Sequence, residues 1–164
     1  MGKQRSIVHR RSAAAAAACL LVLAGSAGPA SARGRGGGAK DATARVLALV
    51  NGERREAGCR PLTLDRRLSE SARQHSRDMA YRHWMSHLGS DGSQPVDRIR
   101  DTGYRALAWG ENVAQGFRTA RGVVDAWMTS PGHRENILDC GYAQTGIGLA
   151  EPGDYWTQDF GAAR

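Results

Sequence analysis

Apolar positions change their period several times along the chain, and each change predicts an element. Val46, Leu49 and Val50, with Glu53, recur about every 3.6 residues and predict a helix near 43–57, capped by Asp41 or Thr43 and ended by Gly58. After a connector at Pro61-Leu62-Thr63, the residues Leu64, Leu68, Ala72, His75 and Met79 line one face of a second helix, 65–82, that ends near Trp84. Gln94-Pro95 opens a short helical turn through Ile99, stopped by Gly103. Thr119 caps a helix at 119–129 in which Val123, Val124, Trp127 and Met128 share a face, and Ser130-Pro131 starts another, with serine at the cap and proline in the first turn. Residues 109–115, 142–151 and 155–160 read as strands. The last two are joined by a turn at Glu151-Pro152-Gly153-Asp154, and the glycines of 142–151 imply close approach of a neighbouring backbone. The fold class this order predicts is α+β, with helices on both sides of a small antiparallel sheet.

The first forty residues follow a different logic. Lys3, Arg5, Arg10 and Arg11 precede an apolar run from Ala13 to Leu23, and Ala30-Ser31-Ala32 has the small-x-small pattern of a cleavage site. A run of about eleven residues is too short to span a bilayer, which takes about 20. Residues 1–32 therefore read as a secretory signal peptide cut after Ala32, residues 33–40 as a flexible glycine-rich leader, and residues 41–164 as one extracellular domain. Arg10-Arg11 lacks the following residues of a twin-arginine signal. Cys19 sits inside the apolar run instead of at its end, so it leaves with the signal. No later stretch is long and apolar enough for stable membrane insertion.

Removing the signal changes the charge. The whole chain has 23 basic and 16 acidic side chains; without the signal 19 basic ones remain against 16, a net charge of about +3 instead of +7. Arg54-Arg55, Arg66-Arg67 and Arg73 with Arg77 alternate with acids along helical faces, the pattern of a solvated surface and not of a phosphate groove, so no nucleic-acid partner is expected. Two cysteines remain, Cys59 and Cys140, and in an oxidising compartment they are expected to pair. Closing a loop of roughly 80 residues is worth about 4 kcal/mol in the chain-entropy account.

Four histidines lie beyond the signal. His75 is on the apolar face of the second helix and reads as a core or boundary residue, and His83 at a helix end complements the dipole. His87, in Met85-Ser86-His87-Leu88-Gly89, lies in a loop that can aim inward, and His133 sits at a capped helix start. Glu111 stands in an apolar strand setting, where a carboxylate must find donors or have its pKa raised. Imidazoles and a carboxylate together can bind a divalent metal or move protons near neutral pH. Spacing alone does not join these residues, and there is no HExxH.

A family resemblance does join them. Gly110-Glu111-Asn112-Val113-Ala114 resembles the GEN[ILV]A segment of CAP domains (cysteine-rich secretory protein, antigen 5, pathogenesis-related). Trp127-Met128-Thr129-Ser130-Pro131-Gly132-His133-Arg134-Glu135-Asn136-Ile137-Leu138 resembles the tryptophan-led segment of bacterial members. Thr145-Gly146-Ile147-Gly148-Leu149-Ala150 and Tyr155-Trp156-Thr157-Gln158-Asp159-Phe160-Gly161 resemble the closing strands, and the match runs in order from about residue 44 to 161. The resemblance implies an α-β-α sandwich whose cleft histidines are His87 and His133 and whose first cleft glutamate is Glu111. The second cleft glutamate of animal and plant members falls on Ser130, a departure that Asp91 or Glu135 would have to make good. The expectation is then a secreted module whose cleft of His87, Glu111, Ser130 and His133 takes a small ligand or lipid, or zinc or another divalent metal held by His87 and His133. The alternatives are a metal-assisted hydrolase with Glu111 as base, Ser130 as a nucleophile paired with His133, and a purely structural cleft.

Overall fold

The structure is a computed structural model that describes residues 35–163. The expected signal peptide and its expected cleavage site therefore lie outside the described residues. Five helices and four strands follow in the order α1 (Arg35–Glu56), β1 (Thr63–Leu64), α2 (Arg66–Arg82), α3 (Pro95–Asp101), β2 (Ala106–Ala114), α4 (Ala120–Thr129), α5 (Pro131–Leu138), β3 (Gln144–Ala150) and β4 (Tyr155–Ala163). Every helix and strand read from the periodicity is present. Two details differ. Helix α1 begins at Arg35 instead of near Thr43, so it takes in most of the expected leader; a side chain at Gly38 would meet nothing within 4 Å, whereas Ala42 packs against the core. The sheet is mixed, not wholly antiparallel: the connector after Pro61 supplies a two-residue strand that runs parallel to β3.

Strand order is β1-β3-β4-β2, with β3–β4 and β4–β2 antiparallel, so β2 is an edge strand. Both faces of the sheet are covered. On one face α2 lies so close to β3 that a Cβ at Gly146 would overlap the backbone of Leu68 and Ser69, and one at Gly148 the backbone of Ala72. Only glycine permits that approach. Leu68 joins Ile99 and Tyr104 in a small core on this side, and Met79 joins Val113 and Tyr155. On the other face Val46 and Val50 of α1, Val123, Val124 and Trp127 of α4 and Ile137 of α5 pack on Ile147, Trp156 and Phe160. Side chains of a strand alternate between the faces, so β2 sends Glu111 toward α2 and Asn112 toward α5. The result is an α-β-α sandwich.

Helix ends follow the local chemistry. Asp65 caps α2 by accepting from the Arg67 and Leu68 amides, and His83 ends that helix in the left-handed conformation (φ 52°). The Thr119 hydroxyl accepts from the Gly122 amide at the start of α4. Ser130 is at the N-cap of α5, but its hydroxyl makes no capping bond. Serine was expected to be engaged there; Pro131 in the first turn removes one amide that would otherwise need a partner.

Cys59 and Cys140 form the expected disulfide, with Cα atoms 5.0 Å apart and a sequence separation of 81. Next to it, Arg54 departs from the expectation of a solvated face. It continues the Val46–Val50 stripe of α1 and is fully buried. Its Nε–H donates to the Arg60 carbonyl (3.0 Å), its Nη1 to Ile137 (2.7 Å) and Asp139 (2.8 Å), and its Nη2 to Tyr142 (2.9 Å). One guanidinium thus ties α1 to the end of α5 and to the entry of β3. No described helix is long and apolar enough to cross a membrane.

Candidate functional site at the free edge of the sheet

The edge position of β2 sets the geometry of the site. His87 comes to it from the loop after α2, in one helical layer. His133 comes from the first turn of α5, in the other. The His133 segment is held to the strand through Asn112, whose amide donates to the His133 carbonyl (3.1 Å), while Asn136 donates to the Asn112 side chain (2.9 Å) and to the Glu111 carbonyl (3.2 Å). Gly110 leaves room for this: a Cβ there would lie 2.7 Å from the Tyr142 hydroxyl and 3.1 Å from the Asn136 side chain. Consecutive residues Gly110, Glu111 and Asn112 therefore serve three different contacts.

Glu111 is withdrawn from water, with its side chain 1% exposed. His87 Nδ1 lies 2.7 Å from Oε1, and Arg98 Nη2 donates to Oε2 at 2.6 Å. Arg98 also reaches the loop that carries His87, donating to the carbonyls of His87 (3.0 Å) and Ser93 (2.9 Å). It is a clamp: one guanidinium fixes both the carboxylate and the backbone of its histidine partner. Beside Arg98 the Glu111 carboxylate is ionised and can only accept, so the hydrogen of this contact is on His87 Nδ1. In the neutral imidazole the lone pair is then on Nε2, and the ring is half-exposed.

His75 lies below. Its Nε2–H donates to the Ser86 carbonyl (2.7 Å) and is 4.0 Å from Glu111 Oε1; burial pushes its pKa down, with the Glu111 charge opposing. It is the buried residue the sequence implied. His133 also has a lowered pKa, first because it is half-buried and then through the charge of a protonated His87. Asp159 of β4 lies directly opposite Glu111 in the strand register and is fully buried; burial, then the Glu111 charge, pushes its carboxyl well above the usual range.

Of the four expected cleft residues, His87 and Glu111 touch, while His133 is in the first turn of α5 and Ser130 at its N-cap, with no capping bond from the serine side chain. The expected convergence of His87, Glu111 and His133 on one ion is not formed: among the described residues no three His, Cys, Asp or Glu side chains are gathered as a metal-holding group. The physical reason is Arg98, which occupies one Glu111 oxygen while His87 takes the other. The same pairing removes Glu111 as a free base. Asp91 and Glu135 remain exposed, and Asp91 accepts from the Ser93 amide. Sequence reading missed Arg98 and Asp159.

A four-stranded sheet between helical layers, with a histidine–carboxylate contact at its free edge, defines an α-β-α sandwich. Residues 47–160 match the model of the cysteine-rich secretory protein (CAP) family, and the chain belongs to that family. It is 40% identical over 116 residues to the uncharacterized protein YkwD of Bacillus subtilis (strain 168), a match that takes in 71% of this chain and 45% of that one. The chain thus spans less than half the length of the curated relatives it matches. Among solved structures it resembles an extracellular protein containing an SCP domain from Bacillus anthracis, with 25% identity and a TM-score of 0.69 over 77% of this chain and 40% of that one. An outer surface protein of Borrelia burgdorferi shares the fold at 20% identity, with a TM-score of 0.72 over 76% of this chain and 95% of that one.

Proposed function

We propose that this chain is an extracellular binding module whose edge cleft takes a divalent metal, zinc in the first instance, through the imidazoles of His87 and His133. The observation that carries the reading is the His87 Nδ1–Glu111 contact at 2.7 Å with Arg98 on the second oxygen. A carboxylate behind an imidazole fixes the tautomer and raises the basicity of the outer nitrogen, the arrangement commonly found behind metal-bound histidines. His133, kept neutral by its surroundings, supplies a second lone pair. Glu111 is then a support behind the metal and not a ligand, and water completes the shell. Secretion is part of the proposal, supported by the signal-like residues 1–32 and by the extracellular or outer-surface descriptions of the structural relatives.

Calorimetric titration of zinc into the chain, beside a His87→Ala/His133→Ala double variant, tests the reading. Zinc binding by the parent and none by the variant is expected; equal binding by both would place the metal elsewhere and end it. Affinity should fall as pH drops below about 6.5, because protonated imidazole cannot ligate. Glu111→Gln should weaken binding by about 10–100-fold, the usual effect of removing such a support.

The small-ligand or lipid reading has its own observation. A groove of about 320 Å³ between the end of α2 and the following loop is lined by Met79, Arg82, Trp84 and Leu88, and Trp84 is 70% exposed. Organic extraction of the purified chain followed by mass spectrometry tests it; an empty extract would leave the metal reading alone. In the hydrolase alternative the base would be His87 Nε2, since both Glu111 oxygens are engaged.

A further inference from the structure

Five polar atoms without a hydrogen-bond partner lie beneath the cleft: Ser71 Oγ, His75 Nδ1, Arg98 Nε and both carboxyl oxygens of Asp159. Asp159 is the one that cannot be left as it stands. It is fully buried, and a bare carboxylate with no donor is among the most costly groups to hold in a protein interior. The groups that face it are Ser71 from α2, Arg98 from α3, Glu111 from β2 and the side-chain-free Gly146 from β3. Arg98 is the one permanent cation in this set, and it is already turned to Glu111 at 2.6 Å.

A carboxylic acid differs from a carboxylate in having one donor. Directly across the strands is a strong acceptor: Glu111 has about four lone-pair sites, of which His87 and Arg98 occupy two. We propose that Asp159 is a positioning residue of the cleft, a neutral carboxylic acid at neutral pH whose O–H donates to the Glu111 carboxylate from inside the protein. Three donors then surround Glu111: the His87 imidazole from the cleft, the Arg98 guanidinium from α3 and the Asp159 acid from β4. An ionised Asp159 would set two carboxylates against one arginine and raise the proton affinity of Glu111, which would then compete for the His87 Nδ1 proton. A neutral Asp159 leaves Glu111 an acceptor and the His87 lone pair on the outer nitrogen. The raised pKa of Asp159 agrees with this. The inference deepens the metal reading, because it concerns what keeps His87 ready, but it does not need a metal to be tested.

The experiment uses infrared difference spectra of the metal-free chain at pH 7 with carboxyl-labelled aspartate, comparing the parent with Asp159→Asn. One labelled protonated-acid band in the parent and none in the variant is the expected result. No such band in the parent, or a band that survives the substitution, overturns the proposal. Nitrogen NMR of His87 then separates positioning from mere packing. Asp159→Asn keeps a neutral donor and should leave the tautomer ratio as it is; Asp159→Leu removes it, makes the Glu111 carboxylate a stronger acceptor and should shift the ratio about threefold or more further toward Nδ1–H, the scale of one hydrogen bond. An unchanged ratio in a folded Asp159→Leu chain, or a changed one in Asp159→Asn, overturns the positioning role. If the leucine variant does not fold, the infrared band and the asparagine variant still decide. A zinc titration that failed while the band and the tautomer behaved as expected would sink the metal reading and leave this one standing.

Discussion

Arg54 and Arg98 are both removed from water, yet they are satisfied in opposite ways. The Arg54 guanidinium donates four bonds to neutral carbonyls, and it sits beside a disulfide. Burial lowers its pKa, with the Asp139 charge opposing. Arg98 faces an ionised carboxylate, holds a loop by two carbonyls and leaves its Nε without a partner. The first arrangement is closed: four of its five N–H donors end on a backbone that cannot change charge. The second is open, since its acceptor is shared with a histidine that reaches solvent. A buried cation on carbonyls makes a joint, whereas one on a shared carboxylate sets the electrostatics of a site.

The largest expected effect breaks the joint. Arg54→Met should cost about 3–5 kcal/mol, because four carbonyls, two of them buried, lose their donors at once. Urea denaturation would show a lower midpoint. A loss below about 1 kcal/mol would mean that water replaces the guanidinium and that the joint is not closed. Zinc binding by whatever fraction stays folded should be unchanged.

Arg98→Met should cost less overall, about 2–4 kcal/mol, since its neighbours include solvent-reaching groups, but it should damage the site more. Without Arg98 the Glu111 carboxylate is buried beside one imidazole, and residues 84–94 lose two backbone anchors. Limited proteolysis should cut that loop faster in this variant than in Arg54→Met. The reverse order would undo the comparison.

The disulfide and Arg54 share one joint, so their contributions should not add. A cycle of Arg54→Met with Cys59→Ser/Cys140→Ser is expected to show a coupling of about 1 kcal/mol, whereas Arg98→Met with the same cysteine pair should show about zero. Chemical denaturation of the four chains measures it.

How much of this could be read from the sequence depends on which signal each residue leaves. Helices and strands were legible because both faces of the sheet are covered, so the apolar periods are strong. The disulfide followed from counting, and His87, Glu111 and His133 came together only through the family segments, because no local spacing joins a loop, an edge strand and a helix start. Arg54 was legible in principle: it continues the stripe of Val46 and Val50 at intervals of four, and all three are fully buried. Its charge suggested a surface and hid the stripe. Asp159 shares its strand face with Tyr155 and Thr157, and in a sheet covered on both sides every such position is interior. Arg98 lies one turn after Pro95 on the inward face of a short helix, where a 7-residue pattern is too brief to show periodicity. None of these three could be assigned its partner from sequence, since pairing across β2 and β4 is fixed only by register.

The smallest predicted effect sharpens the contrast by pH. The Arg54 joint is held by backbone carbonyls, which carry no titratable proton, but His133 at the cleft has a lowered pKa, by burial first and by His87 second. Above the unfolded histidine value of about 6.5 both states are neutral there and the position is indifferent to pH. As pH falls below that value the unfolded chain takes up the proton first, so stability is lost as acidity carries the system down through the folded pKa. The slope from this residue is at most about 1.4 kcal/mol per pH unit and should be less, since the ring keeps some contact with water. His133→Gln should remove that part of the acid sensitivity. Urea midpoints of parent and variant should therefore converge, or cross in favour of the variant, on going from pH 7.5 to 5.5. A gap that stayed constant across that range would show that His133 is as free to protonate in the fold as in the unfolded chain.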